Sequence, residues 1–376
     1  MPFPFEFVLF GATLLGVAIF HRHTLQVALS GLLLITAWKL AFGDFHGATG
    51  PMGLLGHIGE EWVLLANLFA LLVGFALLSR HFELSGIPEL MPRVLPDDWK
   101  GGLLLLAIVF VLSGFLDNIA AAIIGATVAG IVYRHRVHIG YLAAIVAAAN
   151  AGGAGSVVGD TTTTMMWLDG VSPLHVLHAY VAAFVAFLAF AIPAARRQQQ
   201  LSPIIRDPSR EAHVDASRAV IVLVILAGAV AANLYANTLP QGRGEQFPYI
   251  GATVIGILLL LAPWRRPDWA IVPRAARGAA FLLALVLAAS MMPVESLPAA
   301  SPATAFGLGV VSSVFDNIPL TRLALEQGGY DWGALAYAVG YGGSMIWFGS
   351  SAGVAVADLF PQAKSVGQWL RQGWYV

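Results

Sequence analysis

The sequence predicts an all-α polytopic membrane protein made of two inverted-topology repeats, each with a re-entrant hairpin and a broken transmembrane helix. Three observations carry that reading. Composition is the first: 58% of the 376 residues are hydrophobic and only 11% are charged, where soluble domains are about a quarter charged, and the mean hydropathy is +0.76. The second is length, because apolar runs long enough to cross a hydrocarbon core of about 30 Å recur along the chain. Third, two polar motifs, SGFLDNIAA (113–121) and SSVFDNIPL (312–320), interrupt apolar segments in the two halves and share Ser, Asp, Asn and Ile in register.

The apolar segments lie near 3–20, 24–42, 60–79, 101–133, 139–158, 174–195, 218–238, 249–263, 278–298, 300–325 and 333–357. The first starts without Lys or Arg and has no small-residue cleavage site, so it reads as a helix, not as a signal peptide. Loops 80–100, 196–218 and 264–277 are rich in Arg and Lys, whereas 43–59 has neither and 239–247 has only Arg243. The positive-inside rule puts the first three in the cytoplasm and the N-terminus outside.

Segment 101–133 would run about 50 Å as a straight helix, too long for one crossing. Lys100, Arg134 and Arg136 flank its ends, so it reads as a hairpin that enters and leaves on one side, turning at 113–118. Segment 300–325 turns in the same way at 312–320, with Pro319 placed to begin the returning helix. A glycine-rich helix, expected to be broken, follows each hairpin: 139–166, containing NAGGAGSVVGDTTTT, and 333–357, containing GYGGSMIWFGSSAG. Residues 1–195 then form the first repeat, 196–217 a cytoplasmic linker and 218–376 the second repeat. The first half continues into a full helix after its broken one and the second does not. The alignment therefore predicts a missing last helix, with 358–376 a polar linker entering a helix stub and an apolar face uncovered on 333–357. Tryptophans 62, 99, 264, 269, 332 and 369 lie near helix ends and read as interfacial belts.

Irregular backbone at membrane depth is tolerated only where protein buries it or water reaches it. Interrupted segments at matching positions of two halves point to a transporter's binding site. The freed carbonyls, hydroxyls and carboxylates there suit a hard cation. Asp117 and Asp316 carry the case, because ionisable groups inside a membrane are functional by default. Asp160 also suits the N-cap of a helix starting at Thr161, and Thr161 and Thr162, nearest the break, are the threonine ligand candidates. The chain has no cysteine, which excludes disulfides, thiolate metal sites and cysteine catalysis. It shows no nucleophile–base pair, nucleotide-binding loop or nucleic-acid surface, so neither an enzyme nor a nucleic-acid binder is expected.

FLDNIAAA, NAGGAGSVVGDTTTTMMW, DNIPL and GGSMIWFGSSAGVAV resemble the ion-transporter superfamily, and within it the NhaD-type sodium/proton antiporters and citrate-transporter-like proteins. The likeness runs from about residue 60 to 358, and its most specific part is the pattern GGA-S--GD-TTTM-W. It implies an elevator-like secondary transporter of the cell inner (plasma) membrane, homodimeric in the lipid bilayer, with no cofactor beyond sodium ions or protons as coupling ions. By analogy Asp117, Asn118, Ser156, Asp160, Thr161 and Thr162 line one half-site, and Asp316, Asn317, Ser344, Ser350 and Ser351 the other. Ser113, Asn150 and Ser313 complete the ligand candidates, and sodium is expected at Asp117, Asn118, Asp160, Asp316 and Asn317. The chain departs from many antiporters in carrying Arg322 just past the second tip, a possible contact for an anion. Two readings follow: sodium/proton antiport by alternating access, and sodium- or proton-coupled symport of citrate or a related organic anion.

Overall fold

The computed structural model describes residues 4–20, 23–45, 47–204, 214–239 and 246–376. Part of the linker 196–217 and most of loop 239–247 lie outside the described residues, which are all-helical with no β-strand. In the first half, α1 (Phe5–Ile19) pairs with α2 (Thr24–Phe42), followed by α3 (Gly50–Glu83) and the short α4 (Ile87–Val94). Then come α5 (Trp99–Ser113), α6 (Asn118–Val132), α7 (Ile139–Gly153), α8 (Thr161–Leu168), α9 (Pro173–Leu177) and α10 (Ala179–Leu201). The second half has α11 (Ala216–Thr238) paired with α12 (Tyr249–Leu261), then α13 (Val272–Ser290) and α14 (Pro302–Ser312). It continues through α15 (Asn317–Gln327), α16 (Trp332–Gly342), α17 (Ser351–Leu359) and α18 (Val366–Gly373). Five helical stretches, Thr24–Phe42, Gly50–Glu83, Pro173–Leu201, Ala216–Ala236 and Trp269–Ser290, are long and apolar enough to cross a membrane.

Helices α5 and α6 pack against each other, as do α14 and α15. Each pair turns over four residues and restarts on an aspartate, Asp117 or Asp316, in extended conformation at the N-cap. Both glycine-rich segments are interrupted, between Gly153 and Thr161 and between Gly342 and Ser351. The outgoing arms α5 and α14 pack on α7 and α16. The return arms cross to the other half, α6 against α17 and α15 against α8.

Five expectations need correction. Loop 43–59 is largely helix, because α3 starts at Gly50, with Pro51 in the first turn, where its missing N–H costs nothing, and runs 34 residues. Loop 80–100 contains α4, which buries Met91 and exposes Glu89 and Arg93. The uncovered apolar face is absent: within 333–357 only Ala334 and Met345 are exposed. Residues 358–376 do more than link, since α18 packs on α7. There Trp369 is buried, not interfacial, and its indole N–H donates to the Ser344 carbonyl at 3.3 Å.

Candidate functional site

Hairpin tips and helix breaks meet because glycines let backbones touch. A Cβ on Gly152 would sit 2.0 Å from the Phe110 carbonyl oxygen and one on Gly159 1.8 Å from that of Ser113. In the second half the matching distances are 2.1 Å from Gly342 to the Gly309 carbonyl and 2.4 Å from Gly349 to that of Ser313. Any side chain there would push tip and break apart.

Four helix N-termini, those of α6, α8, α15 and α17, are thereby gathered around one region. Their N-cap residues are Asp117, Asp160, Asp316 and Ser350. Each N-terminus carries partial positive charge, which carboxylates offset. Asp160 Oδ1 accepts from the Thr162 N–H at 3.4 Å, Asp316 Oδ1 from the Ile318 N–H at 3.1 Å, and Ser350 Oγ from the Gly353 N–H at 3.2 Å. A cavity of about 260 Å³ opens beside them. Asp117, Asn118, Asp160, Thr161, Asn317, Ser350 and Ser351 line it on one side, with apolar residues of α3 (Leu68 to Ala76) and α13 (Ala275 to Leu282) opposite.

Asn150, fully buried in α7, joins the two halves of this region. Its Oδ1 accepts from Asn118 Nδ2 at 3.2 Å, while its Nδ2 donates to Ser344 Oγ at 2.9 Å and Ser350 Oγ at 3.2 Å. Asn118 Nδ2 also donates to Asp160 Oδ1 at 3.4 Å, and Ser351 Oγ donates to Asp316 Oδ2 at 3.3 Å. Asp160 Oδ2 and Ser113 Oγ are buried with no hydrogen-bond partner among the described residues. They are oxygens able to face an ion.

Of the sequence candidates, then, Asp117, Asn118, Asn150, Asp160, Thr161, Asp316, Asn317, Ser344, Ser350 and Ser351 come together at or directly behind the cavity. Thr162 is buried beside them, and Ser113 lies against Gly153 and Gly159. Two serines are engaged elsewhere. Ser156 donates to the Gly114 carbonyl at 2.7 Å, bracing tip against break, and Ser313 donates to the Val310 carbonyl at 2.6 Å within its own turn. Thr163 and Thr164 likewise donate to carbonyls of the 154–160 break. Arg322 is absent from the cavity lining: three carboxylates, Glu61, Asp169 and Glu326, hold its guanidinium. The sequence reading passed over those three acids, although Glu61 stands inside an apolar helix. Arg274, counted there only as one of the cations of loop 264–277, lines the cavity's exposed mouth.

Five helical stretches of spanning length and apolar composition define a multi-pass membrane protein. No family model matches the chain. It is similar to two curated proteins of Arabidopsis thaliana. Sodium/proton antiporter 1 is 28% identical over 284 residues, which cover 66% of this chain and 48% of that one. Sodium/proton antiporter 2 is 26% identical over 285 residues, covering 65% of this chain and 66% of its own. The match thus spans about half the length of the first relative and just under two thirds of the second.

Proposed function

We propose that the chain is a sodium/proton antiporter of the inner membrane, working by alternating access between two inverted repeats. The single observation that carries the reading is a set of three carboxylates beside amide and hydroxyl oxygens: Asp117 and Asp160 line one cavity, and Asp316 stands directly behind it, accepting from the lining Ser351. Oxygen ligands of that kind suit hard cations. A proton and a cation neutralise the same carboxylate, so they compete, and competition at a site facing one side at a time gives exchange. The two antiporter relatives support this direction. Matching glycine contacts in the halves, and the crossed packing of α6 on α17 and α15 on α8, support the repeat. The cavity mouth at Arg274 adjoins the basic loop 264–277, which corresponds to an inward-facing state under the positive-inside rule. Symport of an organic anion fits less well. Three carboxylates repel an anion, and the arginine expected to attract one is already paired.

Purified protein in proteoliposomes under an imposed sodium gradient should drive protons the opposite way, followed with a trapped pH dye. Asp160→Asn should abolish this exchange, and sodium affinity in the wild type should weaken as pH falls. Uptake of labelled citrate without sodium-dependent proton movement would overturn the proposal.

A further inference from the structure

The most buried charged cluster outside the site is the one around Arg322. Its Nη2 lies 2.5 Å from Glu61 Oε1 on α3 and also contacts Glu326 Oε1, one turn along α15, while its Nη1 lies 3.0 Å from Asp169 Oδ1 at the end of α8. Arg322 and Glu61 side chains are only 6% and 10% exposed. Of the three contacts, two stay among α8 and α15, which both start at the site. The contact to Glu61 alone reaches α3, the apolar wall facing it.

Its position relative to the cavity is defined. Arg80, near the end of α3, pairs with Asp268, just before α13, at 3.0 Å, so those two helix ends coincide on the mouth side with exposed Arg274. The α3 residues lining the cavity run from Leu68 to Ala76. Glu61 precedes them by two turns, and Arg322 lies one turn beyond the cavity-lining Ile318. The pair therefore sits beyond the end of the cavity lining that is remote from Arg274.

We infer that Arg322 and Glu61 form a charge lock between α15 and α3 that seals the end of the cavity opposite its mouth and parts when that end opens. This rests on the alternating-access reading above. A buried ion pair suits a lock: it holds firmly while both partners are present, and removing one partner is far more disruptive than replacing the pair.

The absence of cysteine makes the test direct. Leu72→Cys places one thiol at a half-buried position of the cavity wall, read with a membrane-impermeant thiol reagent added to either face of oriented vesicles. With the lock intact, labelling should come from the mouth side only. Glu61→Gln leaves Arg322 two carboxylates and lowers the cluster's excess negative charge, so folding should be retained. Glu61→Asp keeps the charge but shortens the reach. Both should raise labelling from the opposite face by about tenfold or more, the scale of a population shift. Asp169→Asn, which removes a contact within the α8–α15 body, should leave it unchanged. Opposite-face labelling at wild-type level in either Glu61 variant, or an equal rise in Asp169→Asn, overturns the lock. So does loss of folded protein in both Glu61 variants while Asp169→Asn folds, since the contact would then be structural only. Sodium-driven proton flux in the same vesicles separates the two readings. A shifting label without wild-type flux removes antiport and keeps the lock; flux with an unshifted label does the reverse.

Discussion

Asn150 shows how much one side chain can hold together. It is fully buried, and its amide serves both Asn118 on one hairpin and Ser344 and Ser350 on the opposite break. Asn150→Ala would leave those partners short of a hydrogen bond where water cannot easily replace it. Buried hydrogen bonds in membrane proteins average below about 1 kcal/mol, and an orphaned buried group costs about 1–3 kcal/mol. Asn150→Ala is therefore expected to destabilise the detergent-solubilised protein by about 2 kcal/mol in thermal unfolding and to weaken sodium binding. Unchanged stability and affinity would mean that the bridge is idle. The aspartates of the two tips were legible in the sequence because a charge inside an apolar run has few structural excuses. Asn150's bridging was not, since its partners lie 32 to 200 positions away in the chain. Arg322 was legible as an oddity, but its three acidic partners come from distant segments, so the sequence pointed to an anion where the fold supplies carboxylates.

At the scale of elements, the hairpins and breaks were readable because glycine, proline and Asp-Asn punctuate them. The 34-residue α3 was not, because its first ten residues, uncharged and bearing four glycines, resemble a loop in sequence. Close backbone contact between hairpin and break is the feature that the pattern cannot express, and it makes a sharp prediction. A Cβ at Gly159 would meet the Ser113 carbonyl at 1.8 Å, backbone against backbone, with no flexible side chain to yield. Overpacking a core costs about 1–3 kcal/mol even when side chains can adjust. Gly159→Ala should thus lose sodium-dependent proton flux and unfold at lower temperature. Gly170→Ala, in open space but at φ 90°, should cost stability through backbone strain alone and leave flux per folded molecule intact. Equal flux losses in both variants would count against a special role for the tip–break contact.

The whole molecule is held by apolar packing inside and by a few ion pairs at the ends of its helices. Arg80 pairs with Asp268, Arg265 with Asp215 and His178 with Asp331, the last at 2.7 Å. Asp331 lies in the loop between α15 and α16, and His178 stands where α9 meets α10, so this pair ties the two halves of the chain at the surface. The Ala334 backbone N–H, and then the His178 ring, hold the Asp331 carboxyl below its ordinary value of 3.8. A carboxyl lowered by folding stabilises the fold fully above its unfolded value, and the contribution is lost as pH falls through the lowered folded value. With a side chain 61% exposed, the pair is screened by solvent and contributes no more than about 1 kcal/mol. Asp331→Asn retains a capping oxygen for Ala334 but loses the charge. It is expected to lower the unfolding temperature at pH 7 by no more than about 2 °C, and the difference should close as pH falls through the lowered folded value of Asp331. Thermal unfolding of both proteins in the same detergent across that range checks it. A gap of equal size at both ends would assign the contact to shape and hydrogen bonding instead of charge.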